Sequence, residues 1–153
     1  MHQRRKAREV TLQVLYALDV QEIGLQEAMD LFWRNFDAPE EARKFSWSLI
    51  SGTWNNLKQI DGLISGSSDN WAIGRMSRVD KSILRMAVYE LLFCLDIPPK
   101  VTLNEAIDLG KVYGSENSGA FINGILDALY GQLRRKDEDE DQDIGGDAGQ
   151  SEP

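Results

Sequence analysis

The residues near the start of the chain that are best suited to chemistry are cations. Arg4, Arg5, Lys6 and Arg8 occur within five positions, and no acidic residue precedes Glu9. Guanidinium groups bind phosphates through paired hydrogen bonds and stack on bases. Basic side chains oppose the dipole at a helix N-terminus, so a purely structural role would favour acids there. The run therefore predicts contact with a polyanion, and a merely solubilising end is the alternative.

Residues for other kinds of chemistry are scarce. Cys94 is the one cysteine and His2 the one histidine, which excludes an internal disulfide, a multi-cysteine zinc site and triad catalysis. Paired acids such as Glu105 and Asp108 fit dipole partners and capping groups better than acid–base catalysts. We therefore expect no enzymatic activity, no metal and no cofactor.

A glycine-containing segment later in the chain invites comparison with a phosphate-binding loop. Gly114 and Gly119 have the required spacing, but Ala120 and Phe121 stand where that loop needs a lysine and a hydroxyl. The segment therefore favours an inter-helix loop over a nucleoside-triphosphate site. A second interpretation is a polar loop whose Phe121 stacks on a base.

The charge is divided unevenly along the chain. The net charge is −8, from 25 acids and 17 bases, and eight of the acids lie after Lys136. Residues 1–136 are therefore neutral, and residues 137–153 form an acidic tail that is predicted to be disordered. We hypothesise that this tail competes with RNA for the basic start, so that truncation after Lys136 tightens RNA binding at low salt.

Apolar spacing of three and four residues predicts helices along the N-terminal half and no strand. These helices cover about residues 4–20, 24–36 and 39–65. Gly52, inside the third, indicates close packing or a kink. The Ser- and Gly-rich stretch at 65–70 and a turn holding Trp71 follow. They divide the chain into subdomains of about 1–66 and 67–136.

The C-terminal half is also predicted to be helical. Ser77 is the expected N-cap of a long helix that Pro98 stops. Thr102 and Glu105 suggest a capping box for the next helix, Gly114 its end, and Ser118 the cap of the last. On spacing alone, Asp80, Arg85 and Glu90 should form a solvated face of the long helix. The chain is thus predicted to be all-α, with about six or seven helices in two halves.

A membrane span and a signal peptide are not expected. The densest apolar stretch, residues 86–95, contains Glu90 and is far shorter than the roughly 18–20 residues that a span requires. The basic start is followed by an amphipathic pattern instead of an apolar core. We therefore expect a cytoplasmic protein.

Several blocks of the sequence resemble the NusB transcription antitermination family, in register over residues 4–131 and most strongly over 77–127. The blocks are Arg4–Glu9, Ser77–Asp80, Leu84–Leu91, Ile97–Val101, Asn104–Leu109 and Phe121–Leu126. The resemblance implies about seven helices in two packed three-helix bundles. It also implies a non-catalytic bacterial factor that acts with NusE, a small ribosomal subunit protein. The pair binds single-stranded boxA RNA in nascent ribosomal RNA transcripts, and so acts on RNA polymerase indirectly.

The resemblance also assigns residues by position. It places Arg4, Arg5, Lys6 and Arg8 in the family's arginine-rich RNA-binding segment. A later loop and helix that approach RNA correspond to Lys111, Asn117, Ser118 and Phe121. The expected partner face lies near Asp80, Leu84 and Glu90. The acidic tail departs from the family pattern, and Asn117 stands where an acid often occurs. Family members are monomers or dimers, which leaves a homodimer open.

Two other functions are compatible with the sequence. A NusB-like domain also occurs at the N-terminus of some ribosomal RNA cytosine methyltransferases, so the chain could be an RNA-binding subunit associated with methylation. The second alternative is a module that binds only proteins, in which the basic start has no binding role. Replacing the basic residues by alanine separates it from an RNA-binding protein, because only RNA binding depends on salt through those charges.

Overall fold

The computed structural model of the chain describes residues 2–35, 37–68 and 72–150, with side chains from residue 3 to residue 136. Within these residues it contains seven α-helices, a short 3₁₀ turn at Ile73–Arg75 and no strand, which confirms the all-α prediction. The helices are α1 (His2–Gln21), α2 (Leu25–Asn35), α3 (Glu40–Asn55), α4 (Leu57–Gly66), α5 (Arg78–Phe93), α6 (Pro99–Tyr113) and α7 (Ser118–Gln150).

The helices form two groups of three around a continuous apolar core. Helices α1, α2 and α3 contact one another, and so do α5, α6 and α7. Helix α4 follows the first group in sequence but packs mainly against α5 and α7. Buried side chains from both groups, among them Leu15, Leu49, Ile83 and Ile122, belong to one cluster. The two packed bundles are therefore as expected, while the predicted boundary near residue 66 stays a prediction.

Helix α5 lies at the centre of the molecule and contacts α1, α3, α4, α6 and α7. It begins as predicted, because the backbone N–H of Asp80 donates to Ser77 Oγ at 3.1 Å. The predicted solvated face is wrong, since Asp80, Arg85 and Glu90 are 7%, 7% and 2% exposed. A helix with neighbours on every side buries its charged positions as well as its apolar ones, and buried charges need partners.

The buried Arg85 is paired with two carboxylates from other helices. Its guanidinium donates two 2.8 Å hydrogen bonds to Asp61 of α4 and lies 3.4 Å from Asp19 of α1. Lys81 lies 3.0 Å from Asp19. Burial by itself would raise the pKa of Asp19, but the close contact and charge of Lys81 and Arg85 lower it below its usual range. This network ties both helix groups together.

The third predicted helix is two helices. The chain turns at Asn56, whose side-chain amide donates to the Gly52 carbonyl at 2.7 Å, so α3 ends and α4 begins there. The close packing expected at Gly52 is confirmed, because a Cβ at this position would overlap the ring of Tyr89 on α5. Gly52 therefore allows α3 and α5 to approach each other.

Several predicted helix ends are also corrected. Helix α5 ends at Phe93, before Pro98 is reached, and α6 begins at Pro99. Thr102 and Glu105 consequently lie inside α6 and form no capping box. Gly114 does follow the last residue of α6, as predicted.

The start of α7 differs from the prediction as well. Ser118 does not cap α7: it is the first residue of the helix, and its hydroxyl accepts from the Ser115 N–H at 2.8 Å. Asn117 occupies the preceding position, where its carbonyl accepts from the Phe121 N–H at 3.0 Å. Ser118 therefore folds the loop between α6 and α7.

Two predicted segments fall partly or wholly outside the described residues. The turn holding Trp71 is one of them. The acidic tail is the other. Helix α7 extends to Gln150, whereas disorder is predicted from residue 137. The side chains from residue 137 onward lie outside the described part of the chain, so the disorder of the tail stays a prediction. Among the described helices, none is long and apolar enough to cross a membrane.

Candidate nucleic-acid interface

The first two turns of α1 carry three exposed cations, Arg4, Arg5 and Lys6, which we call the basic head. Their side chains are 51%, 52% and 61% exposed. Each lies near a carboxylate on the surface: Arg4 is 3.9 Å from Asp96, and Lys6 is 4.0 Å from Glu9. Exposed pairs of this kind contribute little to stability, so these cations remain available to an anion from solution.

Arg5 is the basic-head residue with the best-formed contacts. It donates to both carboxylate oxygens of Glu105 at 3.1–3.2 Å and to Asp108 at 3.1 Å, both on α6. The hydrogen bond and charge of Glu105 raise the pKa of Arg5 further above its usual value. A phosphate diester offers the same two-oxygen geometry as a carboxylate, so the guanidinium of Arg5 is chemically suited to exchange these carboxylates for a phosphate.

Arg8 is not part of this surface, which corrects its assignment as an RNA-binding residue. It is 3% exposed, and it donates to both oxygens of Glu90 at 2.7–3.2 Å. The Thr102 hydroxyl donates to the same carboxylate at 3.2 Å. Arg4 and Arg5 lie one turn before Arg8 on the same side of α1, so the difference in exposure comes from their place at the end of the helix, where residues 3–6 are exposed. Arg8, Glu90 and Thr102 thus hold α1, α5 and α6 together.

The aromatic ring of Phe45, on α3, lies under the other side of the basic head. The guanidinium of Arg4 is 4.7 Å from its ring centroid and that of Arg8 is 5.3 Å away. A cation–π contact restricts a side chain without neutralising its charge. Phe45 therefore orients Arg4, and no basic or acidic pattern in the sequence marks it for this role.

The later group of predicted RNA-binding residues is split by the fold. Asn117 is exposed and Phe121 is half-buried, and both line an open cavity of about 290 Å³ that Arg75 and Asp80 share. Lys111 is exposed near the end of α6, with its stem against Gly119. Ser118 is 1% exposed, so its hydroxyl stabilises the loop and its assignment as an RNA contact is wrong.

Helix α6 connects the two groups. Asp108, which contacts Arg5, and Lys111 are three positions apart and so share one side of the helix. Tyr113, two residues beyond Lys111, is 41% exposed. Its partial burial and the negative charge of Glu9 raise the pKa of the hydroxyl above its usual value. Tyr113 is thus an exposed aromatic residue near Glu9 that the sequence reasoning missed, although an aromatic residue just before Gly114 was a visible signal.

Two of the three residues expected to face a partner are inaccessible. Leu84 is completely buried and Glu90 is 2% exposed, because both lie on the parts of α5 that contact other helices. Asp80 is 7% exposed, and one of its carboxylate oxygens has no hydrogen-bond partner among the described residues. It differs from the other two in lining the cavity shared with Asn117 and Phe121.

The described residues include no group of three or more acidic, histidine or cysteine side chains that could hold a metal ion. Near the basic head, burial and the charges of Glu90 and Asp96 raise the pKa of the Cys94 thiol to about 11. A thiol with that pKa is protonated at neutral pH and is a poor nucleophile.

The fold and surface define a class: small all-helical proteins with a cationic helix end. The chain belongs to the NusB family, whose sequence profile matches residues 5–131. It is 64% identical over 141 residues to the transcription antitermination protein NusB of Syntrophus aciditrophicus (strain SB), covering 92% of this chain and 88% of that protein.

Solved structures of the family share the fold. The T. maritima NusB structure has a TM-score of 0.76 at 39% identity, covering 82% of this chain and 89% of that one. A crystal structure of the antitermination factors NusB and NusE in complex with dsRNA gives a TM-score of 0.78 at 28% identity. That match covers 86% of this chain and 98% of the NusB-like one.

Proposed function

We propose that this protein is a non-catalytic transcription antitermination factor that binds RNA together with NusE. The observation that carries the proposal is the basic head, three exposed cations in the first two turns of α1. Family membership supports it, as do the antitermination proteins among its relatives. A structural neighbour solved with NusE and RNA supports the choice of partners.

The proposed RNA is a single-stranded boxA-type element in nascent ribosomal RNA transcripts. Arg4, Arg5 and Lys6 would bind its phosphates, since guanidinium and ammonium groups read the backbone without regard to sequence. Lys111, Asn117 and Phe121 would contact bases. A half-buried Phe121 ring and an Asn117 amide are suited to unpaired bases, which expose a face for stacking and an edge for hydrogen bonds. Arg8 and Ser118 support this surface from within.

Asp80 is the remaining candidate for contact with NusE. Its carboxylate is nearly buried, and one oxygen accepts no hydrogen bond from any described residue, so a donor supplied by a partner would remove an energetic cost. We propose that NusE completes the surface around the cavity of Asp80, Asn117 and Phe121. The assembled complex, and not this protein alone, would contact RNA polymerase. The protein would act in the cytoplasm. A homodimer that covers the basic head would compete with RNA binding.

A titration of fluorescently labelled boxA-type RNA, with and without NusE, tests the proposal. We expect the pair to bind more tightly than either protein alone, and log Kobs to fall with log salt by roughly 0.7 per phosphate contacted. RNA binding without salt dependence would exclude the basic head as the contact. No RNA binding even with NusE present would favour the protein-only module.

A further inference from the structure

A second surface with a cation and aromatic rings lies between α2 and α3. The guanidinium of Arg43 is 4.4 Å from the ring centroid of Trp33. Trp47 is one turn beyond Arg43 on α3, so the two share one side of that helix. Together with Lys44 and Glu40, these residues line an open cavity of about 340 Å³. Trp33 and Trp47 are both half-buried, which fixes their rings while leaving part of each accessible.

Arg43 differs from the arginines of α1 and α5 because its charge has no counter-ion among the described residues. Its side chain forms no hydrogen bond or ion pair with the described residues, and its Nε is buried without a partner. Lys44, next to it, is paired with Glu40 at 3.3 Å. A partly buried guanidinium held on an indole and lacking a carboxylate is costly in isolation. Its planar donors fit a phosphate or the edge of a base.

This surface continues into the basic head. Lys44 also lines the neighbouring open cavity of about 470 Å³, which Arg4 and Phe45 share. The ring of Phe45 lies under Arg4. Three cations and three rings therefore lie along a row from Arg4 across α3 to Trp33 and Trp47. We call this row, formed by Arg4, Phe45, Lys44, Arg43, Trp47 and Trp33, the α3 track.

We infer that the α3 track is an additional binding surface for single-stranded RNA, on which the strand continues beyond the basic head. The inference rests on the proposed function, since the basic head supplies the neighbouring part of the same strand. Proteins that bind single strands without sequence preference combine cations for the backbone with aromatic platforms for bases. The α3 track has both. Glu40 and Glu41 lie beside it, so the gain in affinity should be moderate and should come mainly from stacking.

The test compares a short RNA of about 5 nucleotides with one of about 12 that contains it, because only the longer strand can cover both the basic head and the α3 track. The variants are Arg43→Gln and Arg43→Lys, with Lys58→Gln as the control. Lys58 is an exposed cation on α4 and lies outside the track. We expect Arg43→Gln to weaken binding of the longer RNA about fivefold to tenfold and to leave the short RNA unchanged. Arg43→Lys should weaken binding of the longer RNA less than Arg43→Gln does, because it keeps the charge and removes only the planar group.

Tryptophan fluorescence gives a second readout that does not depend on these variants. The longer RNA should quench the wild-type emission more strongly than the short one, and Trp47→Phe should reduce that difference. Equal quenching by both RNAs, or equal effects of Arg43→Gln on both, would overturn the inference. So would a loss of NusE binding with RNA binding unchanged, which would make the track a protein contact. If the wild type binds neither RNA, the proposed function itself fails; if it binds both equally, only the track fails.

Discussion

Arg5 and Arg8 lie three residues apart on α1, and each donates two or more hydrogen bonds to carboxylates of other helices. Their surroundings differ. Arg5 is half-exposed above Glu105 and Asp108, whereas Arg8 is enclosed with Glu90 and Thr102. In water, a carboxylate can be exchanged for a phosphate at little cost, because both ions stay solvated. In the interior, removing a partner leaves a buried charge. The same residue type is thus open to exchange of its partner in one place and fixed to its partner by burial in the other.

The largest effect is expected from breaking the buried pair. Replacing Arg8 by methionine should lower the free energy of unfolding by about 3–5 kcal/mol, because Glu90 would remain buried without its counter-ion. Urea denaturation measures this loss. The double variant Arg8→Met with Glu90→Leu should recover much of the stability, since it removes both charges. A single variant as stable as the wild type would show that Arg8 is not enclosed in solution.

A second buried network gives a smaller effect with a defined pH dependence. Asp19→Asn should cost roughly 1.5–3 kcal/mol at pH 7, the usual range for hydrogen bonds to charged groups. The folded-state pKa of Asp19 is lowered, so its contribution is present above the unfolded pKa of about 3.9 and is lost as pH falls through the folded value. Thermal unfolding of both proteins from pH 7 down to pH 2 should therefore show the difference shrinking in acid. A constant difference would contradict the pairing.

Removing the exposed arginines should change RNA binding and leave stability nearly unchanged. For Arg4→Gln with Arg5→Gln, we expect about a tenfold loss of RNA affinity at low salt and a salt slope shallower by about 1.4, or roughly 0.7 for each phosphate contact. Fluorescence anisotropy over a series of salt concentrations measures both quantities. Arg134→Gln is a suitable control, because it removes an exposed cation from the middle of α7, outside the basic head. An unchanged slope would mean that the basic head does not contact RNA.

The smallest effect is also the most specific one. Glu105→Gln removes the main counter-ion of Arg5, so RNA phosphates would no longer compete with a carboxylate. We expect RNA affinity to rise a few-fold at low salt, and the gain to disappear at high salt as screening increases. The same anisotropy titration detects it. A fall in affinity would indicate that Glu105 orients Arg5 for RNA and does not merely occupy it.

The sequence predicts the helices better than the burial of their polar residues. Apolar spacing located most of the helical segments, and the close packing at Gly52 followed from its place inside one of them. The break at Asn56 was missed because the apolar spacing continues through it. Thr102 and Glu105 match a capping box by pattern, but Pro99 already begins α6, so both side chains are free to contact α5 and α1 instead.

The basic head was recognisable from the run that contains Arg4, Arg5, Lys6 and Arg8, because four cations before the first acid have no structural advantage at a helix N-terminus. Phe45, Arg43 and Trp33 could not be linked to it in the same way. These residues are distant in sequence from the basic head. Cations and rings that come from two different helices follow no single period in the sequence, so no pattern identifies them as one surface.

The sequence by itself determined that this protein is helical, that a cationic segment begins it and which family it belongs to, since these properties depend on local spacing and on residue types. The tertiary structure decided which of the charged residues face water. Position 8 points toward α5 and position 5 toward the edge of α6, and only the packing of three helices assigns Glu90 to the interior and Glu105 to the surface. The free energy of a charge depends on its solvation and on the partner it meets, and both are set by residues far away along the chain.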